Sequence, residues 1–172
     1  MPTKHRRYTL KLKHAKHLLK EISERLKLNM DTVFGSNINV EIIEADVGEI
    51  YLMNGKPLFF KAGEKLLPTL IFQDFTLRAP KIVVDMGAVP HVCNGADIMA
   101  PGIVRVEGEF GKGALVLVVD EKHGKPLALG VSLHDAETTR ETKQGAVVKN
   151  VHFVSDEIWN FVKTLAEKAF LP

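Results

Sequence analysis

The chain has 172 residues, of which 45% are apolar and 26% are charged, so it can hold one large packed domain or two small ones. No apolar run approaches the roughly 20 residues needed to cross a bilayer, and the basic start of the chain lacks the apolar core of a secretory signal. Cys93 is the single cysteine, which excludes a disulfide framework and a thiolate metal site. We therefore predict a cytoplasmic protein with no membrane partner and no cofactor.

The net charge of +2 conceals an uneven distribution along the chain. The first twenty positions contain no acidic residue and seven basic ones: Lys4, Arg6, Arg7, Lys11, Lys13, Lys16 and Lys20. Subtracting these seven charges from +2 leaves −5 on the remaining residues. A basic segment at one end of a chain indicates a polyanionic partner, although taken alone such a run can equally be a solvated surface.

The first half of the chain predicts one helix followed by a set of strands. Apolar residues spaced by three and four positions predict an amphipathic helix over residues 11–28. Strands are predicted at residues 39–45, 49–53 and 57–61, and Asn54-Gly55 is the hairpin turn between the last two. The bulk of the core is predicted to come from Phe59, Phe60, Phe72 and Phe75. Residues 68–75 can form a short helix or one more strand, and the break at residues 78–80 predicts a domain boundary.

The second half of the chain predicts many short strands. A strand over residues 82–84 ends at Asp85, and a short helix then ends at Asn94-Gly95, where glycine takes the left-handed conformation without a Cβ clash. Further strands are predicted at residues 103–106, 115–119, 127–133 and 146–153. Two more helices are predicted, one capped by Asp135 and running to about Gln144, and one capped by Ser155 and running to about Phe170.

Small and charged residues in this half follow an ordered pattern that begins at Asp85, where a carboxylate usually accepts backbone N–H bonds. The pattern reads D-x-G-A, G-A-D-x-M-x-P-G-I, K-G, A-x-G and H-x-x-x-D-x-x-W, and its residues are Asp85, Gly87, Ala88, Gly95, Ala96, Asp97, Met99, Pro101, Gly102, Ile103, Lys112, Gly113, Ala128, Gly130, His152, Asp156 and Trp159. It resembles the PUA domain, an RNA-binding module named after pseudouridine synthases and archaeosine transglycosylases. Ala114 departs from the family, which often has an acidic residue there, and this bears on the hydrogen bonding of the turn.

The segment NGKPLFFKAGEKLLPTL, residues 54–70, resembles the translation-associated PUA proteins. That group includes the T-cell-lymphoma amplified oncogene product and the N-terminal part of ligatin. The resemblance implies a pre-PUA-like α+β domain over residues 1–79. It also implies a PUA-type β pseudo-barrel with flanking helices over residues 80–172, including the C-terminal helix.

The resemblance further implies a groove, between the segment Gly87–Gly102 and the last strand, that accepts structured RNA or an exposed RNA end. The predicted RNA-binding residues are Gly87, Ala88, Gly95, Ala96, Asp97, Met99, Pro101, Gly102, Arg105, Lys112, Lys149 and His152, together with Lys4, Arg6 and Arg7 at the N-terminus. Glycine leaves space for backbone N–H groups near Gly95, Ala96 and Gly102 to approach phosphates, and cationic side chains would position the RNA. Lys112 can instead complete a turn, and His152 can instead be a core histidine.

Motifs for catalysis are absent from the sequence. There is no H-E-x-x-H, no G-x-S-x-G and no G-x-x-x-x-G-K-[ST]. His14 and His17 are close on the predicted helix, but the neighbouring lysines would repel a divalent metal ion. Enzymes that contain a PUA domain carry their chemistry in a separate, larger domain, so we predict that this protein is not an enzyme and binds no metal.

Three functional hypotheses remain open at this point. The first is an RNA-binding accessory of the translation machinery that contacts tRNA or ribosomal RNA. The second is a protein-interaction adaptor that docks a translation initiation or recycling factor, since eukaryotic members of the family pair with another protein at the small ribosomal subunit. The third is an accessory subunit of an RNA-modification enzyme.

Overall fold

The computed structural model describes residues 5–169, which form two compact units. The first unit comprises the chain up to Phe75 together with the stretch that begins at Asn160, and the second is Thr76–Trp159. This division falls near the boundary predicted after residue 79, but it groups the C-terminal stretch with the first unit and not with the second. The assignment of domains to residues 1–79 and 80–172 stays a prediction.

The first unit contains a five-stranded antiparallel sheet whose strands lie side by side in chain order. The strands are β1 (Arg6–Thr9), β2 (Val40–Ala45), β3 (Gly48–Met53), β4 (Lys56–Ala62) and β5 (Lys65–Pro68). Helices α1 (Leu12–Leu26) and α2 (Met30–Phe34) connect β1 to β2, and α3 (Gln73–Thr76) follows β5. Strand β1 was missed, because the sequence analysis interpreted its arginines only as a charged segment.

Local sequence explains the central hairpin of this sheet. Asn54 and Gly55 have φ angles of 53° and 82°, and two positive φ angles in a two-residue loop match the twist of the flanking strands. The side chain of Asn54 also accepts the backbone N–H of Asn39 at 2.9 Å. The predicted turn is therefore confirmed, and so is the predicted core, since the four phenylalanines are all buried: Phe59, Phe60, Phe72 and Phe75.

The second unit contains a six-stranded mixed sheet in the order β7-β11-β10-β9-β6-β8. The strands are β6 (Lys81–Val84), β7 (Ile98–Met99), β8 (Ile103–Glu107), β9 (Leu115–Asp120), β10 (Pro126–Ser132) and β11 (Ala146–Phe153). Strands β6 and β9 are parallel, and the other neighbours are antiparallel. Because the 3-10 turn Ala100–Gly102 joins the two edge strands β7 and β8, the sheet curls towards a closed pseudo-barrel.

Apolar side chains from most of these strands form the core inside the curled sheet. They include Ile82, Val84, Val116, Val118, Val147 and Val148. Between the strands lie α4 (Val89–Val92) and α5 (Ala136–Glu141). Asp135 caps α5 as predicted, since its carboxylate accepts the N–H of Thr138 at 2.7 Å. Helix α5 ends before the predicted Gln144.

The cap predicted for the last helix, α6 (Glu157–Ala169), is wrong by one residue. The carboxylate of Asp156 accepts the N–H of Trp159 at 2.6 Å, whereas Ser155 lies in the left-handed region with a φ of 82°. A positive φ at Ser155 turns the chain sharply out of β11 and brings the following carboxylate to the helix start. The predicted end at Phe170 lies outside the described residues. None of the helices within residues 5–169 is long and apolar enough to cross a membrane.

Candidate nucleic-acid interface

The segment Gly87–Gly102 is tied at both ends to Asp85, the residue after β6. The backbone N–H of Asp85 donates to the carbonyl oxygen of Gly102 at 2.9 Å. Its carboxylate accepts the N–H of Ala88 at 2.8 Å, just before α4 begins. The predicted role of Asp85 as an acceptor of backbone N–H groups is confirmed, and it closes the segment into a loop.

Two positions in this loop require glycine. Gly95 has a φ of 92°, and a Cβ there would lie 3.1 Å from the ring of Phe153 in β11. Its predicted positive φ at the end of the short helix is confirmed. A Cβ on Gly102 would lie 3.3 Å from the Cβ of Ala88, so the two ends of the loop touch only because both residues are small.

Asn150, which the sequence analysis missed, holds the middle of the loop against β11. Its side-chain NH₂ donates to the carbonyl oxygens of Val92 and Ala96, both at 3.0 Å. Its backbone N–H donates to the carboxylate of Asp97 at 3.0 Å. An asparagine in the otherwise largely apolar run AVVKNVHF was the available signal, because a polar residue in a buried strand usually has specific hydrogen-bond partners.

Two of the backbone donors predicted to approach phosphate are already used inside the loop. The N–H of Gly95 donates to the carbonyl oxygen of Val92 at 3.1 Å, and the N–H of Ala96 donates to that of His91 at 3.0 Å. The prediction for these two groups is therefore wrong, because the short helix ends in a tight turn that satisfies its own donors. The loop offers shape and side chains in their place.

Several predicted residues lie exposed on or beside the loop: Gly87, Ala96, Asp97, Met99, Pro101 and Lys149. Ala88, Gly95 and Gly102 are half-buried. The side chain of Met99 is 50% exposed, which is unusual for a large apolar residue. The pairing of Val148 with Ile98 brings the following residue, Lys149, alongside the loop. Lys149 is thus a cation that the fold places at the predicted groove.

Arg105 and Lys112 are exposed but lie elsewhere on the second unit. Arg105 is on the edge strand β8, where its Nε lies 2.8 Å from the carboxylate of Glu107. Lys112 lies in the turn before β9, where the hydroxyl of Ser132 accepts the N–H of Ala114 at 3.1 Å and donates to the carbonyl of Gly111. Ser132 therefore supplies the hydrogen bonding that an acidic residue at position 114 often supplies in the family.

His152 is only 1% exposed, so the prediction that it contacts RNA is wrong. Its Nδ1 lies 2.8 Å from the carboxylate of Asp156, which also accepts the N–H of Phe153 at 2.9 Å. Burial raises the pKa of Asp156, but the hydrogen bonds and charge of its partners outweigh this and hold the pKa below its usual value. His152 is the core histidine of the alternative interpretation, and it stabilises the turn between β11 and α6.

At the N-terminus, the predicted cations are engaged by carboxylates of the neighbouring strand. The guanidinium of Arg7 makes two hydrogen bonds to Glu41 in β2, at 2.7 and 3.2 Å, which raise the pKa of Arg7 and lower that of Glu41. Arg6 lies 3.9 Å from the carboxylate of Glu44. Lys4 lies outside the described residues. In contrast, three lysines on one face of α1 are fully exposed: Lys13, Lys16 and Lys20.

Metal-binding groups do not come together within residues 5–169. No three His, Cys, Asp or Glu side chains there are placed to hold a metal ion. His14 and His17 are exposed on α1, and burial raises the pKa of the half-buried Cys93 thiol.

Comparison with known proteins supports this architecture in both halves of the chain. Residues 80–154 match the PUA domain, and residues 6–73 match a domain of unknown function, DUF1947. An uncharacterized protein of Methanocaldococcus jannaschii is 39% identical over 157 residues, which cover 91% of this chain and 96% of that protein. Translation machinery-associated protein 20 of Saccharomyces cerevisiae is 28% identical over 140 residues, which cover 77% of each chain.

A solved PUA-domain structure from Aeropyrum pernix K1 superposes with a TM-score of 0.81 at 25% identity, covering 94% of this chain and 92% of that one. The predicted fold class, an α+β N-terminal part followed by a PUA-type pseudo-barrel with flanking helices, is confirmed. The chain belongs to the PUA-domain proteins, in the translation-associated family that its motifs resemble.

Proposed function

We propose that this protein is an RNA-binding accessory of the translation machinery, acting in the cytoplasm and contacting tRNA or ribosomal RNA. The proposed binding surface is the groove between the segment Gly87–Gly102 and β11. The observation that supports it best is the fixed loop itself. Asp85 and Asn150 hold its backbone through hydrogen bonds, and Lys149 lies beside it.

A loop fixed in this way suits RNA for two physical reasons. Its hydrogen bonds are made before binding, so little conformational entropy is lost when a ligand arrives. Its small residues keep side chains out of the way, while the exposed Met99 and Pro101 offer apolar contacts to sugars and bases. Lys149 would then position the strand by contact with a phosphate, which carries no sequence information by itself.

The first unit would contribute long-range attraction through α1. Arg7 is neutralised by Glu41, and we assign the attraction to the exposed lysines Lys13, Lys16 and Lys20. Cations on a solvated helix bind phosphates with little specificity and with strong salt dependence. This revises the expectation that Arg6 and Arg7 make such contacts.

The name of the yeast relative places that protein with the translation machinery, and we extend this association to the present chain as part of the proposal. We propose no catalytic activity. The small ribosomal subunit and a translation factor are candidate partners, and an adaptor that binds only protein is the principal alternative.

Binding of the purified full chain to a naked tRNA transcript separates RNA binding from the adaptor role. We expect saturable binding that Lys149→Glu weakens by tenfold or so, since about 1.4 kcal/mol corresponds to a factor of ten. Lys56→Glu, which changes the same charge on an exposed strand residue of the first unit, is the matched control and should bind nearly as the wild type does. Absence of binding by the wild type, together with recovery of a translation factor in pull-downs, would favour the adaptor.

A further inference from the structure

The turn between β9 and β10 is a rigid basic loop that the motifs of the family do not include. Asp120, the last residue of β9, is only 4% exposed, and its carboxylate accepts the backbone N–H groups of Lys122, His123 and Lys125. These bonds hold the pKa of Asp120 below its usual value, with the bond from His123 contributing most. A single buried carboxylate thus fixes the whole turn and directs its donors inward.

This turn lies directly beside the start of the Gly87–Gly102 segment. Strands β6 and β9 run parallel and pair Val84 with Asp120, so both chains leave the sheet at the same edge. The N–H of Glu121 donates to the carbonyl of Val84 at 2.9 Å, and the carboxylate of Glu121 accepts the N–H of Met86 at 3.3 Å. Two backbone-anchored contacts therefore join the turn to the loop.

The charges that the turn presents to solvent are positive. Lys122 and Lys125 are exposed, and neither makes an ion pair with a carboxylate within residues 5–169. The nearest acid in sequence, Glu121, is occupied by the N–H of Met86. His123, between the two lysines, is also exposed.

We propose that Lys122 and Lys125 bind phosphodiester groups of an RNA strand where it passes the Asp85–Ala88 end of the groove. Because the backbone of the turn is already fixed, only the lysine side chains lose freedom when they meet phosphate. A lysine ammonium interacts with phosphate as a point charge, so these contacts add affinity without reading bases. This inference rests on the proposed function, since it extends the same groove.

The test is a salt titration of binding to a tRNA transcript by the full chain. Replacing both residues, Lys122→Ala with Lys125→Ala, should lower the slope of log K against log salt by about 1.4, taking about 0.7 per phosphate. Between 50 and 200 mM salt the affinity should then fall by a factor roughly sevenfold smaller than for the wild type. The pair Lys122→Gln with Lys125→Gln, which keeps polar side chains on the turn, should give the same slope.

The matched control is Lys56→Ala with Lys65→Ala, which removes two exposed charges from the first unit. Its slope should stay closer to that of the wild type. If the wild type binds tRNA and the Lys122/Lys125 variants keep its slope, this inference is overturned and the proposed function stands. If the wild type does not bind tRNA at all, both are overturned.

Discussion

The segment Gly87–Gly102 and the N-terminal strand β1 were both predicted to meet RNA, and the fold treats them differently. The segment is held by hydrogen bonds to its backbone, from Asp85 and Asn150, so its outer surface stays available. The arginines of β1 are held by their side chains, since Arg7 is engaged by Glu41 of the neighbouring strand.

The difference teaches how a count of cations can mislead. Strand pairing places Arg7 next to residues far away in sequence, and the sequence alone does not say that the facing strand carries carboxylates in register. Lysines on the outer face of a helix have no such partner opposite them. Availability of charge follows from the element that carries it and not from the number of basic residues.

The largest expected effect comes from replacing Gly95 in the segment by valine. The positive φ and the approach to the ring of Phe153 should together lower the free energy of unfolding by about 2–4 kcal/mol. Urea denaturation measures this loss. Gly111→Val is the control, because a Cβ there meets nothing within 4 Å and its φ is not in the left-handed region. Equal stability of Gly95→Val and the parent would show that the loop is not fixed at this point.

A smaller effect is expected from Asn150→Ala, which removes the two side-chain hydrogen bonds to the carbonyls of Val92 and Ala96. At about 0.5–1.5 kcal/mol for each bond, stability should fall by about 1–2 kcal/mol. Amide hydrogen exchange should also become faster within residues 87–102. Asn37→Ala, at an exposed position of the first unit, should change neither quantity. Unchanged exchange in the Asn150 variant would contradict its role in holding the loop.

The smallest effect on stability is expected at the other region of the comparison. The side chain of Arg7 is 52% exposed, so Arg7→Ala should cost only about 0.2–1 kcal/mol and should leave the salt dependence of tRNA binding unchanged. The triple replacement of Lys13, Lys16 and Lys20 by alanine should lower the salt slope by about 2. A lower slope for Arg7→Ala and an unchanged slope for the lysine variant would reverse the assignment.

The strands, the hairpin turn and the glycine positions were predictable because their signals are local. Asn54-Gly55 sets its own φ angles, and Gly95 was identified by the helix that it ends. The resemblance supplied the rest of the fold class, because the order of motifs along β6 to β11 is specific to the family.

The roles of individual side chains were harder to predict, since each depends on contacts distant in sequence. His152 fits the family motif equally well as a ligand or as a core residue, and only its burial beside Asp156 decides. Asn150 holds a loop more than fifty positions earlier in the chain. The basic turn after Asp120 becomes a candidate only when the parallel pairing of β6 and β9 brings it to the loop.

Ultraviolet crosslinking of the full chain to a tRNA transcript, followed by mass spectrometry of the attached peptides, tests the central claim most directly. Crosslinks to residues 87–102 and to the β11 residues around Lys149 are the predicted result. Crosslinks confined to the first unit, or none above the level of a scrambled competitor control, would contradict the proposal that this groove binds RNA.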